Sequence, residues 1–217
     1  MLTILGKSES INVRKVLWTC AELGLEPGRD YSHDADWGGK GRSTQEDAFL
    51  RLNPHGLVPV LRDSETTAGE TVLWESNSII RYLIAKHGRT DLLPAEPAAR
   101  AQVEKWMDWQ LGDLNGAWRG AFMGLVRKHP DFQNAAAIAR SVQSWNAMML
   151  VFDRHLQTTG AYAVGASFTA ADIVLGLAVN RWAMTPIDRP QLDAVTAYYD
   201  RLTEREGFRQ FGRNGQP

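Results

Sequence analysis

The apolar positions of the first ninety residues change period several times. Leu2-Thr3-Ile4-Leu5 is a short apolar run, the length of a buried strand. After a polar, turn-like KSES, Val13, Val16, Leu17, Cys20 and Leu23 fall on one helical face, and Gly24 supplies the stop. Residues 29–33 read as a second strand, followed by a polar, glycine-rich stretch at 36–47. The run 57–62 reads as a third strand and 71–74 as a fourth, with Asp63 to Glu70 between them as a long turn-rich loop. Pro59 sits inside the third run, where its missing N–H cannot serve a sheet ladder. A helix opens at Glu75-Ser76-Asn77, buries Ile79, Ile80, Leu83 and Ile84, and ends before Gly88.

Beyond the proline-containing stretch Leu93-Pro94-Ala95-Glu96-Pro97 the strand pattern stops. Residues 98–126 carry a long helical pattern through Val103, Trp106, Met107, Gln110, Leu111 and Leu114; 134–157, 170–184 and 191–205 carry others. The reading is an α/β domain at 1–87, a linker at 88–97 and an all-α domain at 98–217. One helix start is well specified. Thr169 can cap the N–H of Asp172, the Asp172 carboxylate can reach back to Thr169, and Phe168 can staple onto Ile173. Its expected job is structural.

Composition narrows the function. The chain has 217 residues, 44% of them hydrophobic, and no apolar run of membrane-spanning length. A net charge of −1 gives no electrostatic case for nucleic acid or an anionic membrane. The start lacks the marks of a signal peptide, so a cytoplasmic protein is expected. The single cysteine, Cys20, allows no internal disulfide or CxxC pair, and on the apolar face of its helix it reads as an inert thiol. The histidines lack metal-ligand spacing; His33-Asp34-Ala35-Asp36 reads as a solvated loop, and no metal is expected. In GGKG at 38–41, Lys40 is followed by Gly41 where a phosphate loop needs Ser or Thr, so it reads as a flexible loop.

Four features taken together, Ser10-Ile11-Asn12-Val13 before the first helix, Asn53-Pro54-His55-Gly56-Leu57-Val58-Pro59, Glu75-Ser76 at a helix start, and the Ser167–Asp172 box, resemble the soluble glutathione transferases over nearly the whole chain. The pattern is most similar to a bacterial branch with Ser or Thr and Asn near the first helix. The resemblance implies a thioredoxin-like first domain that binds glutathione and a helical second domain that helps form the electrophile site. It implies a cis Val58–Pro59 bond, with the Val58 backbone offered to the cysteinyl part of glutathione as a strand edge would be. It also implies a homodimer, with glutathione as co-substrate.

Glu75-Ser76 has a physical logic of its own, because open N–H groups and the dipole at a helix start favour an anion such as the γ-glutamyl carboxylate. Glu75 would then face the ligand's ammonium. The thiol has an ordinary pKa near 8.5, and the thiolate is the nucleophile. Hydrogen-bond donors and a helix start favour it, and the resemblance places the activating residue at the start of the first helix, which makes Ser10 the expected activator, Asn12 the second, and Ser8 a rival. No Tyr or Cys stands near that start, which disfavours the branches that use them. Lys40 or Arg42, and less directly His55, could meet the glycine carboxylate. Leu57 stands where some branches carry a Gln before the Val-Pro pair, which puts that contact in doubt. By resemblance, Trp118, Arg119 and Phe122 line the electrophile site, although tryptophans are more often core. The leading function is conjugation of glutathione to a small electrophile. The alternatives are a glutathione-dependent disulfide or peroxide reductase without an enzyme cysteine, and a non-catalytic binding protein.

Overall fold

Strand β1 (Leu2–Leu5) lies inside a four-stranded sheet of order β2-β1-β3-β4. It pairs in parallel with β2 (Tyr31–Asp34) and antiparallel with β3 (Val60–Thr66), which pairs antiparallel with β4 (Gly69–Trp74). The structure, a computed structural model, describes all residues except Ala68. Neighbouring β1 residues point to opposite faces. Ile4 packs with Val13, Val16, Leu17 and Cys20 of α1 (Ile11–Glu22) and with Ile79 and Leu83 of α3 (Ser76–Lys86). Leu5 packs on the other side with Trp37, Val60 and Phe49, the last from α2 (Asp47–Leu50). The thioredoxin-like sheet domain expected from the sequence is present.

Its third strand differs from the run 57–62. β3 starts at Val60, directly after Pro59, which has no N–H to give to the ladder, and Leu57 is 65% exposed. β3 then runs on to Thr66, so most of the Asp63–Glu70 loop is strand in a hairpin whose Ala68 lies outside the described residues. The short α2 falls just past the polar stretch and was not expected.

The described residues form two compact units, Met1–Leu93 with Glu206–Asn214, and Pro94–Arg205 with Gly215–Pro217. The second unit is helical: α4 (Pro97–Trp109), a π-helical turn (Gln110–Leu114), α5 (Asn115–Leu125), a 3-10 turn (Pro130–Phe132), α6 (Ala135–Thr159), α7 (Ala170–Met184) and α8 (Asp193–Leu202). Glu96 caps α4 by accepting from the N–H groups of Ala98 and Ala99, with Pro97 at the first helical position. α7 is buried on every side from Ala170 to Trp182, as a core helix should be. The box at its start forms, with the N–H of Thr169 donating to Asp172 Oδ2 at 2.8 Å.

The sequence reading placed everything after 98 in the helical domain. A last helix, α9 (Glu206–Phe211), instead belongs to the first unit and packs on α1. The Phe208 ring lies 5.1 Å from that of Trp18, and Gly207 brings its backbone so close that a Cβ would sit 2.3 Å from Trp18 Cδ1.

Candidate active site

The loop between β1 and α1 carries Ser10 and is tied down from several sides. The Gly6 N–H donates to the Asp34 carbonyl at 2.9 Å, and His33 Nε2 lies 2.8 Å from the Gly6 carbonyl. The Lys7 N–H donates to the carbonyl of Trp37 at 2.9 Å. Trp37 is itself wedged against Phe49 at 5.0 Å and covered by Arg42 at 3.5 Å. His33 thus helps hold the loop through a backbone carbonyl. Gly6 has φ +141°, and a Cβ there would lie 2.7 Å from both Val13 Cγ2 and Val58 Cβ. That close approach brings the Ser10 loop against the Val58–Pro59 segment, a joint that the sequence reading missed.

Ser10 occupies the N-cap position of α1 in extended conformation, but its side chain makes no capping bond. A serine there normally gives its oxygen to the first turn. Its hydroxyl is therefore open for another partner, and no acidic residue stands in the first turn to oppose an anion. Ser8 is exposed in the same loop. Asn12, in the first turn, accepts from the Ser76 hydroxyl, Oγ to Oδ1 3.4 Å.

The Val58–Pro59 peptide is cis. Among the described residues no hydrogen bond engages the Val58 backbone, so its N–H and C=O are open. Asn53, 3% exposed, shapes this turn: its Nδ2 donates to the Leu57 carbonyl at 2.7 Å and its Oδ1 accepts from the His55 N–H at 3.0 Å. Its place at the head of the NPHG motif was the available signal. His55 is exposed and meets Trp74 edge-on at 5.0 Å.

α3 begins beside this segment in the chain's first unit. Glu75 sits at its N-cap with φ 69° and ψ 108°, a sparsely populated conformation for a residue other than glycine, and its side chain makes no capping bond. Ser76 is 4% exposed and Asn77 2%. The Glu75 side chain thus leaves the helix start open to another negatively charged group. Lys40 is exposed in the glycine-rich loop, whereas Arg42 is engaged by Trp37 and, at 3.9 Å, by Glu46. Cys20 is fully buried, and burial pushes its thiol up to about 12, so it stays protonated and unreactive. Among the described residues no group of three or more His, Cys, Asp or Glu could hold a metal ion.

In the helical unit the Trp118 and Phe122 rings meet edge-on at 5.4 Å on α5. Trp118 Nε1 donates to Asn115 Oδ1 at 2.8 Å, and Gln110 Nε2 donates to the same oxygen at 2.8 Å across the π-helical turn. Arg119 is exposed, its guanidinium 5.9 Å from the centre of Phe132. Arg181 of α7, not singled out in the sequence, lies over Phe122 at 4.1 Å and over Trp118 at 4.5 Å.

Residues 10–86 match the family described as "Glutathione S-transferase, N-terminal domain". The chain is 38% identical over 220 residues to glutathione S-transferase GstB of Escherichia coli, covering 97% of each. Among solved structures, a theta class glutathione S-transferase from Xanthomonas axonopodis pv. citri with glutathione bound superposes with a TM-score of 0.85 at 35% identity, over 97% of this chain and 96% of that one. Glutathione transferase F7 from Populus trichocarpa, 19% identical, shares the fold with a TM-score of 0.80 over the full length of both. The chain belongs to the glutathione S-transferase family.

Proposed function

We propose that this glutathione transferase activates its co-substrate with Ser10 as the main donor to the thiol and Asn12 as the second. The observation that carries the reading is the Ser10 hydroxyl, which stands at an N-cap without capping. Each pKa unit removed from the thiol requires about 1.4 kcal/mol of preference for the thiolate, which donors and a helix start can supply.

The rest of the site is read as follows. The start of α3, with Ser76, takes the γ-glutamyl carboxylate, and Glu75 takes the ammonium of the same residue. The open Val58 N–H and C=O, beside Pro59, pair with the cysteinyl backbone. Lys40 attracts the glycine carboxylate, and His55 does so less directly. Trp118, Phe122 and Arg119 offer an aromatic and cationic surface to a small hydrophobic electrophile. The thiolate attacks an electrophilic carbon; a carbon–sulfur bond forms, and either a leaving group departs with the electron pair or a polarised double bond takes up a proton. No covalent enzyme intermediate is required, since positioning and thiolate stabilisation supply the rate. The family resemblance also supports a homodimer in the cytoplasm. Among the described residues, no helix is long and apolar enough to cross a membrane.

The test is turnover of a chlorinated nitroaromatic with glutathione, beside calorimetric binding. Ser10→Ala should cut kcat/KM by about 10–100-fold and raise the pH at which activity appears, while glutathione affinity changes little. A variant with unchanged turnover would move the role to Asn12 or Ser8. Turnover of a glutathione-dependent disulfide assay in place of conjugation would select the reductase reading.

A further inference from the structure

A serine hydroxyl carries one hydrogen, and the hydrogen of Ser76 is directed at Asn12. Ser76 Oγ stands 3.4 Å from Asn12 Oδ1, and it is 4% exposed, so water does not compete freely for it. The next residue of α3 repeats the tie: Asn77 Oδ1 accepts from Nζ of the fully buried Lys15 at 3.4 Å. Asn12 and Lys15 lie three apart on α1, on one face of that helix. Two successive residues of α3 thus hold two successive turns of α1. The carboxamide of Asn12 has an acceptor and a donor end, and with Oδ1 engaged by Ser76 its NH2 is turned away from that serine. Among the described residues no hydrogen bond engages this NH2.

We propose that Ser76 is a positioning residue for Asn12: its backbone N–H serves the γ-glutamyl carboxylate, while its hydroxyl fixes the Asn12 amide so that the NH2 faces the thiol. The inference rests on the reading of the site given above and divides one residue between two tasks. Binding at one end of glutathione and ionisation at the other then share a side chain. The carboxylate is left to the N–H groups of the first turn of α3, which are enough to hold an anion.

The experiment measures two quantities on the same samples: the affinity for glutathione by calorimetry, and the pKa of the bound thiol by ultraviolet thiolate absorbance across pH. Ser76→Ala should raise the bound-thiol pKa on the order of one unit, about tenfold less thiolate at a given pH below it. Asn12→Ala should raise it too, and the double variant no further than the larger single effect, because the hydroxyl acts through the amide. Ser76→Thr, which keeps the hydroxyl, should restore the wild-type pKa. If Ser76→Ala does not fold, Ser76→Gly, which likewise deletes the hydroxyl and keeps the backbone N–H, takes its place and should raise the pKa in the same way. A Ser76→Ala protein that binds more weakly with an unshifted thiol pKa overturns the proposal, as do shifts that add in the double variant or an unshifted pKa in Asn12→Ala. A wild-type protein that binds no glutathione overturns the reading of the whole site, a result distinct from either.

Discussion

Gly6 has no side chain, and the site is assembled around that absence. A methyl group would meet Val13 and Val58 at 2.7 Å, and φ +141° is a conformation that a side chain resists. Gly6→Ala should destabilise the protein by about 2–4 kcal/mol, combining backbone strain with overpacking. It should also weaken glutathione binding, because Val58 has to move. Denaturant unfolding beside calorimetry checks both, and unchanged affinity in a folded variant would detach Gly6 from the site. The sequence made Ser10, Asn12, Glu75 and Ser76 legible, since they stand at helix starts, where polar side chains have a definite physical use. Gly6 was illegible because a glycine after a strand looks like any turn, and its neighbour Val58 is distant in the chain. Arg181 was illegible for the opposite reason: an arginine in a helix suggests a solvated face, yet it is 3% exposed and covered by aromatic rings.

Most elements could be read from periodicity, and the misses have a common cause. The helices α1, α3, α6 and α7 stand close to where their apolar faces placed them. The β3 start was missed because the apolar run continues through Pro59, while the backbone donor does not. The π-helical turn at Gln110–Leu114 was missed because one extra residue per turn barely disturbs an apolar stripe. The start of α7 yields a prediction in which sign matters. Asp172 is fully buried; burial raises its carboxyl to about 6 from an ordinary 3.8, although Ala163, Thr169 and Tyr198 all donate to it. The folded protein therefore binds the proton more tightly than the unfolded chain. The resulting stability is complete below pH 3.8 and lost as pH rises through about 6. Relative to Asp172→Asn, wild-type stability should fall by roughly 3 kcal/mol between pH 4 and pH 7. Urea unfolding of both proteins at intervals across that range measures it, and a constant difference would refute it.

At the scale of the molecule, each unit holds a buried carboxyl, Asp63 and Asp172, and the two respond oppositely to acid. In the first, burial pushes the Asp63 carboxyl up, but hydrogen bonds from Lys86, Tyr82 and the Glu65 N–H outweigh it and hold it below the ordinary value. That contribution is present above pH 3.8 and is lost on acidification, the reverse of Asp172. The first unit is also not one continuous stretch of sequence. Glu206–Asn214 completes it by covering Trp18, and Arg14 donates to the Phe211 carbonyl and to Asn214 Oδ1. A fragment ending at Leu93 should bind hydrophobic dyes and unfold at lower denaturant than the same fragment with a 204–217 peptide added. Equal midpoints would show that α9 is dispensable. The order of synthesis gives this closure a temporal meaning. A ribosome releases the strands and α1 early, but the patch around Trp18 stays bare until residues 206–214 have been made. The first unit is therefore completed only after the helices between 94 and 205 have been synthesised, and a chain truncated before 206 is left with a sticky surface on the unit made first.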